Sequence, residues 1–335
     1  KKEILKIIFI SLIMFVSCSG KRQALGADNE IRVICSEIDQ EIIEKYLSKI
    51  FTDTIFTPEP EPYYHLKFSS PETFLSLKSQ SQVIVAAIHQ DKSNPGYQLM
   101  SRLLSSKQIS KTLENDPIIL GQDVYAKNQV LVIINAKSEE LLMQSVENKK
   151  VLIKKTFHNL FIDRQSNIVL SKYRNSSLED SLKSKFPWSI NIPWGWELVK
   201  AEKDLNFVWI GAEMPFQWIS VSWYDGNLVD DELKIGDYIW NYPEKSYGFI
   251  QFNKYKFELK KTNYNGSVAW RVKGIWETKD KVEAKGGPFQ SYLFYDSEND
   301  KTYHLNYLIH YTGKNKSIYM RQMDIIVKTF KLKSI

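Results

Sequence analysis

Few residues of this sequence have types and spacing suited to chemistry, and the two cysteines come first. Cys18 closes an apolar run in Ser17-Cys18-Ser19-Gly20. Cys35 falls in Ile31-Arg-Val-Ile-Cys35, a strand-like apolar run where a buried, inert thiol is expected. His304 and His310 lie on one face of a strand with Asn306 and Leu308. They stand about 20 Å apart along an extended chain, too far to share an ion, so solvated surface histidines are expected. His65, His89 and His158 have no partner visible in the sequence.

The carboxylates give equally little. Asp296, Glu298 and Asp300 alternate as calcium ligands do, but Lys301 stands at the loop glycine and Tyr307 at the closing glutamate. An acidic hairpin turn is the expectation. Asp225, Asp230, Asp231 and Glu232 lack ligand spacing and read as a solvated loop. Nucleophile elbows, Walker loops, dinucleotide fingerprints, paired metal cysteines and helical His-Glu-x-x-His are absent from the sequence. No catalytic residue, metal or cofactor is therefore assigned. Trp188, Trp194 and Trp196, with Gly195 between, could form an aromatic platform for a sugar or peptide, and Gly286-Gly287 could border a pocket. Core packing for the indoles and a tight turn for the glycines are the competing readings.

The N-terminus carries a more specific pattern. Lys1, Lys2 and Lys6 precede Ile7–Val16, an apolar run shorter than the roughly 20 residues a membrane span needs. A basic flank, a short apolar segment and a small residue before a cut form a secretory signal over residues 1–17. Ser17-Cys18 resembles a lipobox, which implies a thioether-linked diacylglycerol on Cys18 and cleavage after Ser17. Two or three acyl chains hold a protein to a bilayer firmly where one does not. Residues 18–28 then form a lipidated tether whose polar part spans about 30 Å at most. Losing Lys1, Lys2, Lys6 and Glu3 with the leader lowers the formal charge from +6 to +4. That excess forms no Lys/Arg cluster, so nucleic acid is excluded as a partner.

The positioning elements divide in two. Residues 29–165 alternate strand-like and helix-like runs, an α/β layer domain. Asp39 is expected to cap a helix through Phe51, Gln82–Ile88 and Val130–Ile134 read as buried strands, and Ser138 caps a long helix. Thr57-Pro-Glu-Pro-Glu-Pro62 must be extended. A polar connection at 166–185 leads to 186–335, an α+β domain with an antiparallel, aromatic-rich sheet. In it Trp218–Tyr224 and Trp270–Trp276 alternate, Gln290–Tyr295 and Thr302–Tyr311 form a hairpin, and Ser317–Phe330 is the closing C-terminal helix.

Over nearly its whole length the chain resembles an uncharacterised "domain of unknown function" family of lipoproteins from Bacteroidetes. The resemblance is carried by Leu25-Gly-Ala-Asp-Asn-Glu30, Thr57-Pro-Glu-Pro-Glu-Pro62, Phe207-Val-Trp-Ile210, Gly274-Ile-Trp-Glu277, Gly286-Gly-Pro-Phe289 and Tyr319-Met-Arg-Gln-Met323. The second half is also similar to the photosystem-II-associated and Ran-binding antiparallel sandwich folds, through its strand order and closing helix. Surface-exported lipoproteins of that phylum carry acids just after the cysteine. Ser19-Gly-Lys-Arg-Gln23 has none, which implies an outer-membrane anchor facing the periplasm. The expected function is a binding or scaffold module that docks to another envelope protein. A glycan or small-ligand binder using Trp188–Trp196 and an enzyme with a scattered site are the alternatives. Asp53-Thr-Ile55 and Asp180-Ser-Leu182 look like the short O-glycosylation motif of those bacteria, which implies modification of Thr54 and Ser181. Intact mass of the native protein should then exceed the lipidated polypeptide by whole hexose increments.

Overall fold

The computed structural model describes residues 20–57, 59–171, 173–202, 204, 206–280 and 284–333, so the leader and Cys18 lie outside the described residues. In chain order the elements are β1 (Glu30–Ile34), α1 (Glu37–Ile50), β2 (Thr54–Ile55), β3 (Glu61–Pro62), β4 (His65–Ser69), α2 (Phe74–Leu77), β5 (Gln82–Ala87), α3 (Pro95–Leu103) and α4 (Ser106–Glu114). They continue with β6 (Ile118–Gln122), β7 (Val130–Asn135), α5 (Glu139–Val169), α6 (Ser176–Lys185), β8 (Trp188–Ser189), β9 (Glu197–Glu202), β10 (Phe207–Glu213) and β11 (Phe216–Asp225). The last are α7 (Glu232–Ser246), β12 (Ile250–Tyr264), β13 (Ser267–Thr278), β14 (Gly286–Asp296), β15 (Lys301–His310), α8 (Ser317–Val327) and β16 (Lys331–Leu332). The described residues fall into two compact units: those of 20–44 with 66–148, and those of 45–65 with 149–333.

The first unit is α/β. Its sheet runs β4-β1-β5-β7-β6, with β1, β5 and β7 parallel and β6 antiparallel to β7. Every residue of β5 and β7 is buried, as parallel strands covered on both faces require. One face packs Val83, Val85, Leu131 and Ile133 against Leu99, Met100 and Leu104. Local signals start the covering helices: Asn94 caps α3 ahead of Pro95, and Ser105 with Gln108 forms a capping box on α4.

The second unit carries a seven-stranded antiparallel sheet in the order β12-β13-β14-β15-β11-β10-β9. Strand parity sorts its side chains. Ile219, Val221, Tyr292, Phe294, Leu305 and Tyr307 pack with Met323, Ile326 and Val327 of α8, while Trp270, Val272, Leu293 and Leu308 pack with Ile235, Ile239 and Tyr242 of α7. With a helix on each face, β14 and β15 are buried almost throughout instead of alternating.

Four expectations are corrected here. Asp39 is no cap; it lies in the first turn of α1, fully buried. Asp231 belongs to no solvated loop, because its carboxylate accepts from Leu233 N and Lys234 N and starts α7, a helix that the polar sequence conceals. Gly286 and Gly287 begin β14 and form no turn. A Cβ on Gly287 would lie 2.0 Å from the Ile309 carbonyl oxygen, so glycine there permits close strand packing. His304, expected at the surface, is fully buried under α7, and its Nδ1 hydrogen-bonds the Tyr238 hydroxyl at 3.0 Å.

Burial pushes the His304 imidazole down from 6.5 to about 3. The folded protein therefore holds it neutral, whereas the unfolded chain takes up a proton below pH 6.5. Stability must fall as pH falls through that window, by about 1.4 kcal/mol per unit from this group. Between about pH 6.5 and 4.5, urea unfolding of wild type should lose about 2–3 kcal/mol more than His304→Gln.

Candidate functional site

A cleft of about 470 Å³ opens in the second unit, and all of its lining residues belong to that unit. Its wall of charge comes from distant stretches: Asp53 after α1, Lys154, Lys155 and His158 on α5, Arg271 and Lys273 on β13, and Arg321, Asp324 and Lys328 at α8. Phe51, Phe56, Tyr63, Tyr64 and Phe289 supply apolar surface. Positions 154 and 158 share a helix face by their spacing of four, and 271 and 273 share a strand face by their spacing of two.

The floor is a buried polar network. Asp324 Oδ1 accepts from the Tyr292 and Tyr307 hydroxyls, both at 2.7 Å, and from Gln290 Nε2 at 3.2 Å. Its Oδ2 meets Lys328 Nζ at 2.7 Å. Burial alone would push the Asp324 carboxyl up, but the Lys328 ammonium and the tyrosine hydroxyls hold it below its ordinary value. Burial, with the Asp324 charge, pushes both tyrosines up, so they stay neutral donors.

Arg321 fixes one side of the cleft. Its guanidinium carbon lies 3.2 Å from the Phe161 ring centroid and within 5 Å of the Tyr63 and Tyr64 rings, and it donates to Tyr63 O and Tyr64 Oη. The β2–β3 hairpin adds a remote cap. No side chain near the start of α8 caps it, and Glu61 accepts from Lys316 N and Ser317 N at 2.8 Å instead.

Cations exceed acids around this floor. Lys154 pairs with Asp53 at 2.8 Å and Lys328 with Asp324. Lys155 and Lys273 have no ion-pair partner among the described residues. Arg271 approaches Glu258 only at 3.6 Å, and its Nε has no hydrogen-bond partner. Burial, then the neighbouring Arg271, pushes the Lys273 ammonium down; burial, then Arg321 and Lys328, does the same to His158. Such surplus positive charge is the chemistry of anion recognition.

Of the site residues expected from sequence, Cys18 lies outside the described residues, Thr54 lines the cleft, and the others lie elsewhere. Trp188 is fully buried, stacked on Phe186 at 5.4 Å, and Trp196 is buried too. Only Trp194 is exposed, so no three-indole platform forms. Trp194 and Trp196 line a separate depression with Tyr173 and Gln322. Gly286 and Gly287 border neither cavity. Ser181 is half-buried on α6, whereas Thr54 is exposed and lines the cleft.

In the first unit Asp39 gathers His89 Nδ1 at 2.6 Å, His89 N at 3.0 Å, Ser36 Oγ at 2.8 Å and Asn94 Nδ2 at 3.1 Å. These bonds tie the segment after β1 to the segment after β5. Burial, with the Asp39 charge, pushes the adjacent Cys35 thiol up to about 12, which leaves it protonated and unreactive at neutral pH. Among the described residues no group of three or more His, Cys, Asp or Glu is placed to hold a metal ion.

Removing the Asp324 carboxylate should expose how much rests on it. Asp324→Ala leaves the two tyrosine hydroxyls and Lys328 without their carboxylate, while Gln290 Nε2 keeps both hydroxyls as acceptors, and should lower unfolding free energy by about 2–4 kcal/mol in urea. Tyr292→Phe, which removes the bond to Asp324 and the one accepted from Gln290, should cost about 1–2 kcal/mol.

No curated protein matches this chain in sequence. Among solved structures, a mutant form of the protein Mog1 is similar at 11% identity and TM-score 0.31, over 44% of this chain and 90% of that one. The Saccharomyces cerevisiae Ran-binding protein Mog1p is similar at 11% identity and TM-score 0.32, with the same coverage. LpqN, described as involved in cell envelope biogenesis of Mycobacterium tuberculosis, is similar at 12% identity and TM-score 0.29, over 44% and 83%. Likenesses this slight carry neither fold nor function across. Where one family was expected over nearly the whole chain, two family models divide it. Residues 24–169 match "Domain of unknown function (DUF8532)", and residues 175–329 match "Domain of unknown function (DUF4837)". Each match covers less than half of the chain, and their shared boundary near residue 170 differs from the division into compact units, because residues 45–65 and 149–169 fall in the first match but in the second unit.

Proposed function

We propose that this protein is a lipid-anchored binding module of a bacterial cell envelope, whose second unit docks a partner through an anionic group held in the basic cleft. The carrying observation is the surplus of cations there, with Lys155 and Lys273 lacking ion-pair partners among the described residues beside a floor whose carboxylate is already saturated. Recognition is the reading that the surplus of cations supports, and the cleft's two carboxylates are already committed, Asp53 to Lys154 and Asp324 to Lys328 and two hydroxyls.

The anchor reading rests on the Ser17-Cys18 pattern. The tether expected over residues 18–28 is shorter than that, because residues 22–25 already bond to Ser79, Ser81 and Lys127, and Ala24 and Asp28 are buried. Among the described residues no helix is long and apolar enough to cross a membrane. A Bacteroidetes source and a periplasm-facing outer-membrane location are part of the same reading. Calorimetry with inorganic phosphate, citrate and a short polyglutamate tests the cleft. At least one should bind wild type with strong salt dependence and bind Lys154→Glu/Lys273→Glu at least about tenfold more weakly. Failure of all three to bind would sink the proposal. In the native host, Cys18→Ser should move the protein from the membrane to the soluble fraction.

A further inference from the structure

The arrangement of the cleft's cations narrows the anion that it suits. Arg271 and Lys273 project from one face of β13, while Lys154 and Lys155 come from α5, so donors reach the cavity from separate elements. A planar carboxylate is satisfied by a single guanidinium fork and presents two oxygens in one plane. A tetrahedral group with three terminal oxygens can accept from both elements at once.

Charge points the same way. The lining holds six Lys and Arg side chains against Asp53 and Asp324, an excess of four. A carboxylate would neutralise one unit of that excess, whereas a phosphate monoester near neutral pH neutralises up to about two. The donors are also available. Lys155 and Lys273 are without ion-pair partners among the described residues, and the Arg271 Nε has no acceptor. The 470 Å³ volume exceeds what one phosphate fills, and Phe51, Phe56, Tyr63 and Phe289 offer apolar surface to an organic body attached to it.

We propose that the group held in the cleft is a phosphate monoester, clasped between Arg271 and Lys273 of β13 and Lys154 and Lys155 of α5. This rests on the anion-binding reading of the cleft. The ester is carried either by a small soluble molecule or by a lipid headgroup, and the shared chemistry is the terminal phosphate.

Calorimetry on the purified chain with glycerol phosphate, and co-sedimentation with phosphatidylcholine vesicles containing phosphatidic acid, separate those sources. Binding of either supports the proposal and assigns the source. The phosphate ester should bind at least about tenfold more tightly than glycerate, its carboxylate counterpart. Lys273→Gln should weaken it at least about tenfold, and Arg271→Lys, which keeps the charge but loses the fork, should weaken it severalfold. Far-ultraviolet circular dichroism and urea midpoints establish that each variant is folded. Glycerate or polyglutamate binding as tightly as the phosphate ester, with the same sensitivity to Lys273→Gln, would overturn the phosphate assignment while leaving an anion site. No binding of any anion would overturn both.

Discussion

The half-buried Asp324 carboxylate is the interaction on which the second unit's organisation turns. It accepts from Tyr292 on β14 and Tyr307 on β15 while sitting on α8, so three elements meet at one charge. Lys328, one turn further along, compensates that charge at 2.7 Å. A buried carboxylate without such partners would cost several kcal/mol, and this one is provided with hydroxyls, an amide and an ammonium. The same group faces the cleft, so the bonds that fix α8 on the sheet also fix the cleft floor.

Two further links secure α8. Glu61 caps its first turn from the β2–β3 hairpin, and Arg321 is enclosed by Phe161, Tyr63 and Tyr64. Both draw residues 45–65 into the second unit. The segment contributes Asp53 and the aromatic wall, and the cleft would be open on that side without it. Structure and proposed recognition therefore depend on the same few side chains, and variants of cations outside the Asp324 network, such as Lys273, separate the two better than variants at the floor.

How much was legible follows from how local each signal is. The runs of β5 and β7 are continuous and apolar, and the β14–β15 hairpin is punctuated by acids. Both could be read directly. β12 could not, because Ile250–Tyr264 carries many charged and polar residues, nor could α7, which contains Pro243 and begins in an acidic cluster. The exposure of His304 was misread because strand periodicity shows only which residues share a face. Whether a helix covers that face is a matter of packing.

The cleft shows the limit most clearly. Its charged residues are ordinary in sequence, scattered from Asp53 to Lys328, and each reads alone as a solvated side chain. By itself the sequence determined the α/β then α+β order, the Ser138 cap of α5, and the local pattern around Cys18 that motivates a lipid anchor. These depend on neighbours within a few residues, through periodicity and short-range hydrogen bonds. Only the tertiary structure decided that Trp188 is core, that Glu61 caps α8, and that Lys154, Arg271 and Lys273 face one cavity. Those outcomes depend on strand register and on which distant segments pack together, and the free energy that selects them is spread over the whole core.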